Sequence, residues 1–511
     1  MSSTEPGESD KIEQHLNISG TVKNLVQIGK IVIQSLDSRI VLRLGLEQRL
    51  GFFILGILVL LSTFFVYRWF QPDQTMYGDY NIAVAQFQVV GHGEGYDEAK
   101  ILAQRFSNAI GRKIVEVSTE LEQSVEIKPP HETGIVKGET VQSRAVSAQR
   151  LADNINAGIV IYGVVSVDGV SASISPEFLI RLDEEEAQSD ALEIVGQYRM
   201  GNAIIIDKVN NKARQSQASI VVADRVNALT FIVYGLSDYI IGEYRSAEMK
   251  FHKALGNHSW SQKDTIYVLL GNAALRQHHF EDAKNYYEKA LVENYLYSRA
   301  FIGLGSVFYA QSIGDKADDT YKSIDEISLD KSIEYFKIAA DPNLEQPFLA
   351  DITFKSMYGL GQAYLLKANL ELARNNIENG VQYLAEAKQA FEVVIAEYEQ
   401  QRNDRIAELA AHSHARVGLI YRIKSQYTIA IDEYIKAIDI LPVLERTKPQ
   451  ISVYQASIAE MYVELGELQE AIVWYTFAVQ NVPMEKISKK IEYQNSLKKF
   501  TGLYFRSFLN Q

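Results

Sequence analysis

Not one cysteine occurs in the 511 residues. That excludes disulfide staples, thiolate metal sites and cysteine nucleophiles together, and leaves either side of a membrane open as compartment. Cations are in deficit: 51 Lys and Arg stand against 64 Asp and Glu, for a formal net charge of −13. A general nucleic-acid binder needs a basic face for phosphate, so the balance argues against one and leaves room only for a local basic groove. The sequence also lacks a nucleophile motif, a zinc-ligand spacing, a phosphate-binding loop and a kinase signature. Gly91-His92-Gly93-Glu94-Gly95 is the sole glycine cluster resembling a phosphate cradle. It has neither the Gly-Lys-Ser/Thr ending nor the dinucleotide spacing, and reads as a flexible turn. His278 and His279 adjoin a helix turn, while His412 and His414 are two apart on a helix and so do not share a face. They read as solvated or packing residues rather than metal ligands. We expect no enzyme, no cofactor and no metal.

Long apolar runs are scarce, with one exception. Gly51 to Tyr67, GFFILGILVLLSTFFVY, carries no charge and is closed by Arg68, Trp69 and Phe70 as an interfacial belt would close it. At about 1.5 Å per residue it reaches roughly 26 Å, which Arg49 and Arg68 extend by snorkelling. A core helix of a soluble domain would show a polar stripe, so a transmembrane helix over residues 51–70 is predicted. Arg39, Arg43 and Arg49 precede it, whereas Arg68 is the only cation between it and Lys100. The excess of positive charge places the short arm, residues 1–50, in the cytoplasm and the carboxy-terminal bulk outside it. Within that arm, Asn17 to Leu36 (NISGTVKNLVQIGKIVIQSL) reads as short strands turning at Gly20 and Gly29, and resembles short segments near effector and adaptor modules of bacterial signalling and defence systems.

With 47% hydrophobic and 23% charged residues, the rest is foldable chain, enough for two or three domains. Residues 79–207 read as a small α/β domain. Strands are predicted at Tyr80–Val90, Val125–Lys128, Gly158–Val165 and Ser171–Ile180, with helices at Ala99–Leu121 and Ala145–Ile155. Ala203–Ile206 is a further strand that would join the same sheet, and the acidic run Asp183–Asp190 is a solvated loop. The phrases Ile82-Ala83-Val84-Ala85-Gln86-Phe87 and Asn156-Ala157-Gly158-Ile159-Val160-Ile161-Tyr162-Gly163 resemble the amino-terminal α/β domain of TolB-type proteins. They also resemble domains that precede helical arrays in bacterial sensors. The resemblance implies protein interaction or small-ligand sensing more than catalysis.

From residue 208 onward the pattern is helical and repetitive. A small residue on one helix is followed by Ala-x-x-x-aromatic-x-x-Ala on the next, as in Gly271 with Ala283, Tyr287 and Ala290, or Gly418 with Ala430, Tyr434 and Ala437. The same signature is found at Gly235 with Phe251, Gly305 with Phe336, Gly361 with Phe391, and Ala459 with Tyr475. This spacing resembles the tetratricopeptide repeat (TPR). About six units are expected over residues 208–483, the third and fourth carrying insertions, with a capping helix over residues 484–511. The insertion in the fourth, through Asn369–Gly380, is either a loop or a lengthening of its helices.

The fold class is therefore mixed: one membrane helix, a small α/β domain, and an all-α superhelical solenoid. The resemblance implies that first helices line a concave groove holding peptides or partner helices. By the repeat numbering the groove positions are Asn272, Arg276, Arg299, Lys355, Gln362, His412, Arg416 and Arg422. Five are cations on an acidic chain, which favours an acidic segment or a terminal carboxylate. Asn272 matches the family's carboxylate-binding set, but its usual lysine companion is Val268 here. The expected function is a membrane-anchored scaffold for protein or peptide partners. A signalling receptor, sensing a ligand through the α/β domain and coupling through the amino-terminal arm, is the alternative.

Overall fold

A computed structural model describes residues 75–78, 80–118, 125–181, 194–256, 263–314, 324–401, 404–441, 446–483 and 486–509. The predicted membrane helix, the amino-terminal arm, the acidic run at 183–190 and most of the third unit's insertion lie outside them. Among the described residues no helix is long and apolar enough to cross a membrane.

The sheet comes first: β1 (Tyr80–Val84), β2 (Gln88–His92), β3 (Val125–Lys128), β4 (Ile159–Asp168), β5 (Ser171–Ile180), β6 (Gly196–Arg199) and β7 (Ile204–Ile206). Its order is β3-β1-β4-β5-β6, with β2 also on β4 and β7 also on β5. The single strand expected over Tyr80–Val90 is broken. β1 pairs Ile82 with Ile159 and β2 pairs Gln88 with Val164, both parallel to β4, so the register slips by one residue between them. One extra residue between two halves of a strand is a bulge, and it re-aims the chain. β2 then meets the β4–β5 hairpin so closely that a Cβ on Gly91, whose φ is +96°, would lie 2.1 Å from the Val167 carbonyl oxygen. The glycine cluster is a backbone-packing turn.

Alternation along β1 divides the two faces. Ile82 and Val84, with Ile159 and Ile161, face α1 (Tyr96–Ser118), whose Leu102, Phe106, Ile110 and Ile114 recur every fourth residue and form a single buried stripe. Ala83 and Ala85, with Val160 and Tyr162, face Ala148 and Ala152 of α3 (Val141–Ile155). Between these helices, α2 (Pro130–Thr133) is a single turn. Thr140 starts α3 with a reciprocal capping box: its hydroxyl accepts from the Ser143 amide, and Ser143 Oγ accepts from the Thr140 amide. Arg144 reaches from α3 to Glu177 on β5, a buried ion pair with a closest approach of 2.5 Å.

Six helical hairpins follow: α4 (Lys212–Ile240) with α5 (Tyr244–Leu255), α6 (Asp264–Arg276) with α7 (Phe280–Glu293), α8 (Ser298–Ile313) with α9 (Glu326–Ala339), α10 (Ile352–Ala373) with α11 (Ile377–Gln401), α12 (Ala407–Ile423) with α13 (Tyr427–Ile440), and α14 (Lys448–Glu464) with α15 (Leu468–Asn481). α16 (Ile487–Leu509) packs Tyr493, Leu497 and Phe500 onto Tyr475 and Ala478 of the last hairpin. In the fourth hairpin the extra length is helix, not loop, since only three residues separate α10 from α11. Five of the turns, all among the described residues, are built alike. One residue adopts positive φ (Gly242, His278, Asn375, Ser425 or Gly466), and the next amide donates back five residues, to Asp238, Ala274, Glu371, Tyr421 or Tyr462. This is the Schellman closure, which satisfies carbonyls that the ending helix leaves open.

Each hairpin closes on a ring. A Cβ on Gly271 would lie 2.6 Å from the Tyr287 ring, one on Gly361 2.7 Å from Phe391, and one on Gly418 2.9 Å from Tyr434. The next unit uses the same device from its other side, with Gly303 against Tyr287 and Gly359 against Phe336. The aromatic of each second helix is thereby seated on helix backbone, fully desolvated, at about 1.5–3 kcal/mol per ring. The sheet joins this stack. α4 covers the α1 side of the sheet, and one apolar core runs from Ile82 and Phe178 through Leu229 and Val233 to Phe251, Ile266 and Leu269.

Substitution of Gly271 by Val should lower unfolding free energy by about 1–3 kcal/mol through overpacking against Tyr287. Gly466→Ala, whose Cβ meets nothing within 4 Å, should cost only its backbone strain of about 1 kcal/mol. Urea titration of the two variants checks the order, and equal losses would contradict the ring-seat account.

Candidate functional site

First helices of four consecutive hairpins, α6, α8, α10 and α12, line a cavity of about 390 Å³. Its apolar and aromatic lining includes Leu275, Ile302, Tyr309, Ile352, Tyr358 and Leu409. With them stand Arg276, Arg299, Lys355 and Arg405, against Asp351 and Glu408 as the acids. Arg405 grips Asp351 through both carboxylate oxygens at 3.0 and 3.1 Å. Arg446, outside the cavity, pairs with Glu408. Among the lining side chains four cations thus stand with two acids.

Six of the eight predicted groove residues meet here: Asn272, Arg276, Arg299, Lys355, Gln362 and His412. Asn272 is nearly buried, and its side-chain carbonyl accepts from the Tyr287 hydroxyl at 2.7 Å. Gln362 donates to the Tyr358 hydroxyl at 3.3 Å, and Arg276 to the Tyr239 hydroxyl at 3.3 Å. Arg416 is not among the lining residues; it interacts with Tyr358 and Tyr309, which are. Arg422 is elsewhere, paired with Glu460 at 2.8 Å on the surface. His278 is exposed beside Phe280, and His414 is buried with Glu433 at 2.7 Å. Among the described residues, no group of three or more His, Asp and Glu is placed to hold a metal.

Arg299 has a part that repeat spacing does not reveal. It is 2% exposed, and its guanidinium donates at 2.8 Å to the carbonyl of Val195, just before β6. The same guanidinium lies 4.1 Å from the Tyr198 ring centroid, and Tyr198 stacks in turn on Phe178 at 4.9 Å. A desolvated cation over a ring contributes about 2 kcal/mol. Beside it the Gln197 amide donates to the Phe348 carbonyl at 2.9 Å, and Gly196, at φ +115°, approaches Ala350 so closely that a Cβ would sit 2.9 Å away. The segment 340–351, between α9 and α10, is thus held against the sheet, with Leu349 in the α3-side core. Val195 consequently forms part of the cavity wall. The sheet edge closes onto the concave side that the repeat pattern alone leaves as an open trough. No periodic signal in residues 191–207 foretold this, because the contact is made by a non-repeating segment.

His412 carries the clearest electrostatic signature. Burial first, then Arg416 and Arg446, holds its pKa down to about 4, and its Nδ1 lies 2.7 Å from the Tyr454 hydroxyl. The neutral ring keeps the wall free of one further charge at neutral pH. In the unfolded chain the imidazole regains its ordinary value near 6.5 and takes up a proton first as pH falls. The stability it contributes is therefore complete above that value and lost progressively toward pH 4. Between pH 7 and pH 5 the loss is about 2 kcal/mol. Chemical denaturation should show His412→Asn to be less sensitive than wild type over this interval by that amount; identical slopes would contradict the assignment.

A tetratricopeptide repeat profile matches residues 268–327. No curated protein matches. Among solved structures, PilF of Pseudomonas aeruginosa aligns at 14% identity with a TM-score of 0.36, over 53% of this chain and 99% of its own. YrrB, described as a TPR protein with an unusual peptide-binding site, aligns at 15% identity and 0.29, over 48% and 97%. The apo form of RapI aligns at 15% and 0.36, over 58% and 72%. Over α6 to α8 the chain matches the tetratricopeptide repeat profile, and stacked hairpins with glycine-seated rings continue on both sides of that span, behind a small sheet domain.

Proposed function

We propose that this chain is a membrane-anchored scaffold whose repeats hold an acidic segment of a partner protein. The observation that carries the reading is the cavity: four consecutive first helices converge on it, and its lining joins apolar and aromatic side chains with more cations than acids, on a chain whose net charge is −13. Repeats of this kind serve protein interaction, and charge-assisted hydrogen bonds from Arg and Lys would select an acidic ligand. The apolar run 51–70 supplies the anchor in this reading, with the amino-terminal arm cytoplasmic and the repeats outside.

A second reading, a receptor sensing ligand through the TolB-like sheet domain, is favoured by Val195, through which the sheet reaches the cavity wall. Deleting residues 1–36 separates the two, since a scaffold keeps its binding and a receptor loses its output.

Fluorescent acidic peptides should bind the purified full-length chain, and reversing two lining charges, Arg276→Glu with Lys355→Glu, should weaken binding at least about tenfold. Undiminished binding in the double variant would remove the cavity from the account. Protease shaving of intact cells should remove the repeats while sparing residues 1–50; protection of the repeats would reverse the orientation.

A further inference from the structure

α16, which covers the last hairpin, differs in charge from the chain that carries it. Between Ile487 and Leu509 it has five cations, Lys489, Lys490, Lys498, Lys499 and Arg506, and one acid, Glu492, whereas the whole chain has a net charge of −13. Contacts settle its packed side. Tyr493, Leu497 and Phe500 lie on Tyr475 and Ala478, and Tyr504, one turn beyond Phe500, donates to Gln469 at 3.5 Å. The start of α15, with Glu467 and Glu470, is met from that side.

The other side is an outer stripe. Ile487, Ile491, Asn495, Lys498, Gly502 and Arg506 recur every three or four residues and are all exposed, as is Lys499 beside them. Ile487 is 63% exposed and Ile491 50%, so aliphatic and cationic side chains share one solvent-facing surface. The helix's one acid pairs with Lys489 at 3.0 Å. A terminal cap needs only a polar outer face, which leaves the two isoleucines without a use in capping.

We propose that this stripe is a docking surface for an anionic lipid bilayer, lying along the headgroups with Ile487 and Ile491 at the acyl boundary and the cations against lipid phosphate. Charge selects the occupant, because a basic helix on an acidic chain is drawn to a surface that repels the remainder of the molecule. The isoleucines select among polyanions: a phosphate or carboxylate polymer engages cations alone, whereas the boundary between headgroups and acyl chains engages both. The contact is separate from the cavity, and it requires neither the anchor at 51–70 nor a peptide partner.

The chain has no cysteine, so Asn495→Cys places a single thiol in the middle of the stripe for an environment-sensitive nitrobenzoxadiazole label. The full-length protein is mixed with vesicles of phosphatidylcholine, or of phosphatidylcholine with about one-third phosphatidylglycerol, and detergent is removed. Label emission should shift to the blue in the anionic vesicles only, and the shift should vanish at about 0.5 M salt. Lys498→Gln with Lys499→Gln should lower it severalfold, and Ile491→Ser should lower it as well; all three sites are exposed, so these variants keep the fold. Poly-glutamate added to the neutral vesicles should leave the emission unchanged. Equal emission in the two vesicles, a shift that survives the double lysine substitution, or an equal shift with poly-glutamate would each overturn the proposal. Flotation reports the anchor by itself. Should the anchor fail and the stripe hold, flotation and the shift both require phosphatidylglycerol; should the stripe fail and the anchor hold, the chain floats with both vesicles and shows no shift.

Discussion

A helical hairpin has more apolar surface than it can cover alone, and that constraint shapes everything after residue 208. Each ring on a second helix needs a floor on both sides. Gly271 and Gly303 supply the two floors of Tyr287, and Gly305 and Gly359 those of Phe336. Glycine is costly in a helix by about 1 kcal/mol relative to alanine, so its presence at these positions marks where close approach outweighs propensity. The last hairpin is covered by Tyr493, Leu497 and Phe500 of α16, and the first shares its core with the sheet.

The sheet solves a related problem. Its two faces need cover, and α1 and α3 are too few for a mixed sheet of this width. α4, the first helix of the repeats, covers part of one face, and segment 340–351 brings Leu349 to the other. The Phe178–Tyr198–Arg299 stack then locks a sheet edge into the concave side. A cation that by spacing belongs to the groove is thus a bond between two layers. The cavity lining holds more cations than acids on a chain whose net charge is −13. Val195, just before β6, forms part of the wall of that cavity.

Much of this was legible in the residues. Alternation along Ile82-Ala83-Val84-Ala85, the stripe of α1 and the small-to-aromatic spacing of the repeats each follow from local periodicity, and periodicity is what a sequence displays directly. Six groove positions converge because the repeat geometry fixes which helix face looks inward. The break between β1 and β2 was hidden, since a one-residue slip leaves composition unchanged. Arg299 and Val195 were hidden for another reason: they are 104 positions apart in the chain, and their contact depends on how a non-repeating strand meets a repeating array. Asn369–Gly380 left loop and helix open because both satisfy the same polar pattern, and the short turn at Asn375 decided for helix.

The central claim is that sheet and repeats unfold as one body, joined through a common core and the Arg299 stack. Native-state hydrogen exchange across a urea series tests it most directly. The Gln197 amide, bonded to the Phe348 carbonyl, and the amides of β4 should converge with those of α6 and α8 on a single opening free energy. If the sheet amides instead exchange through a separate opening at lower free energy while α6 and α8 stay protected, the two layers are independent and the closed cavity is not a property of the native chain.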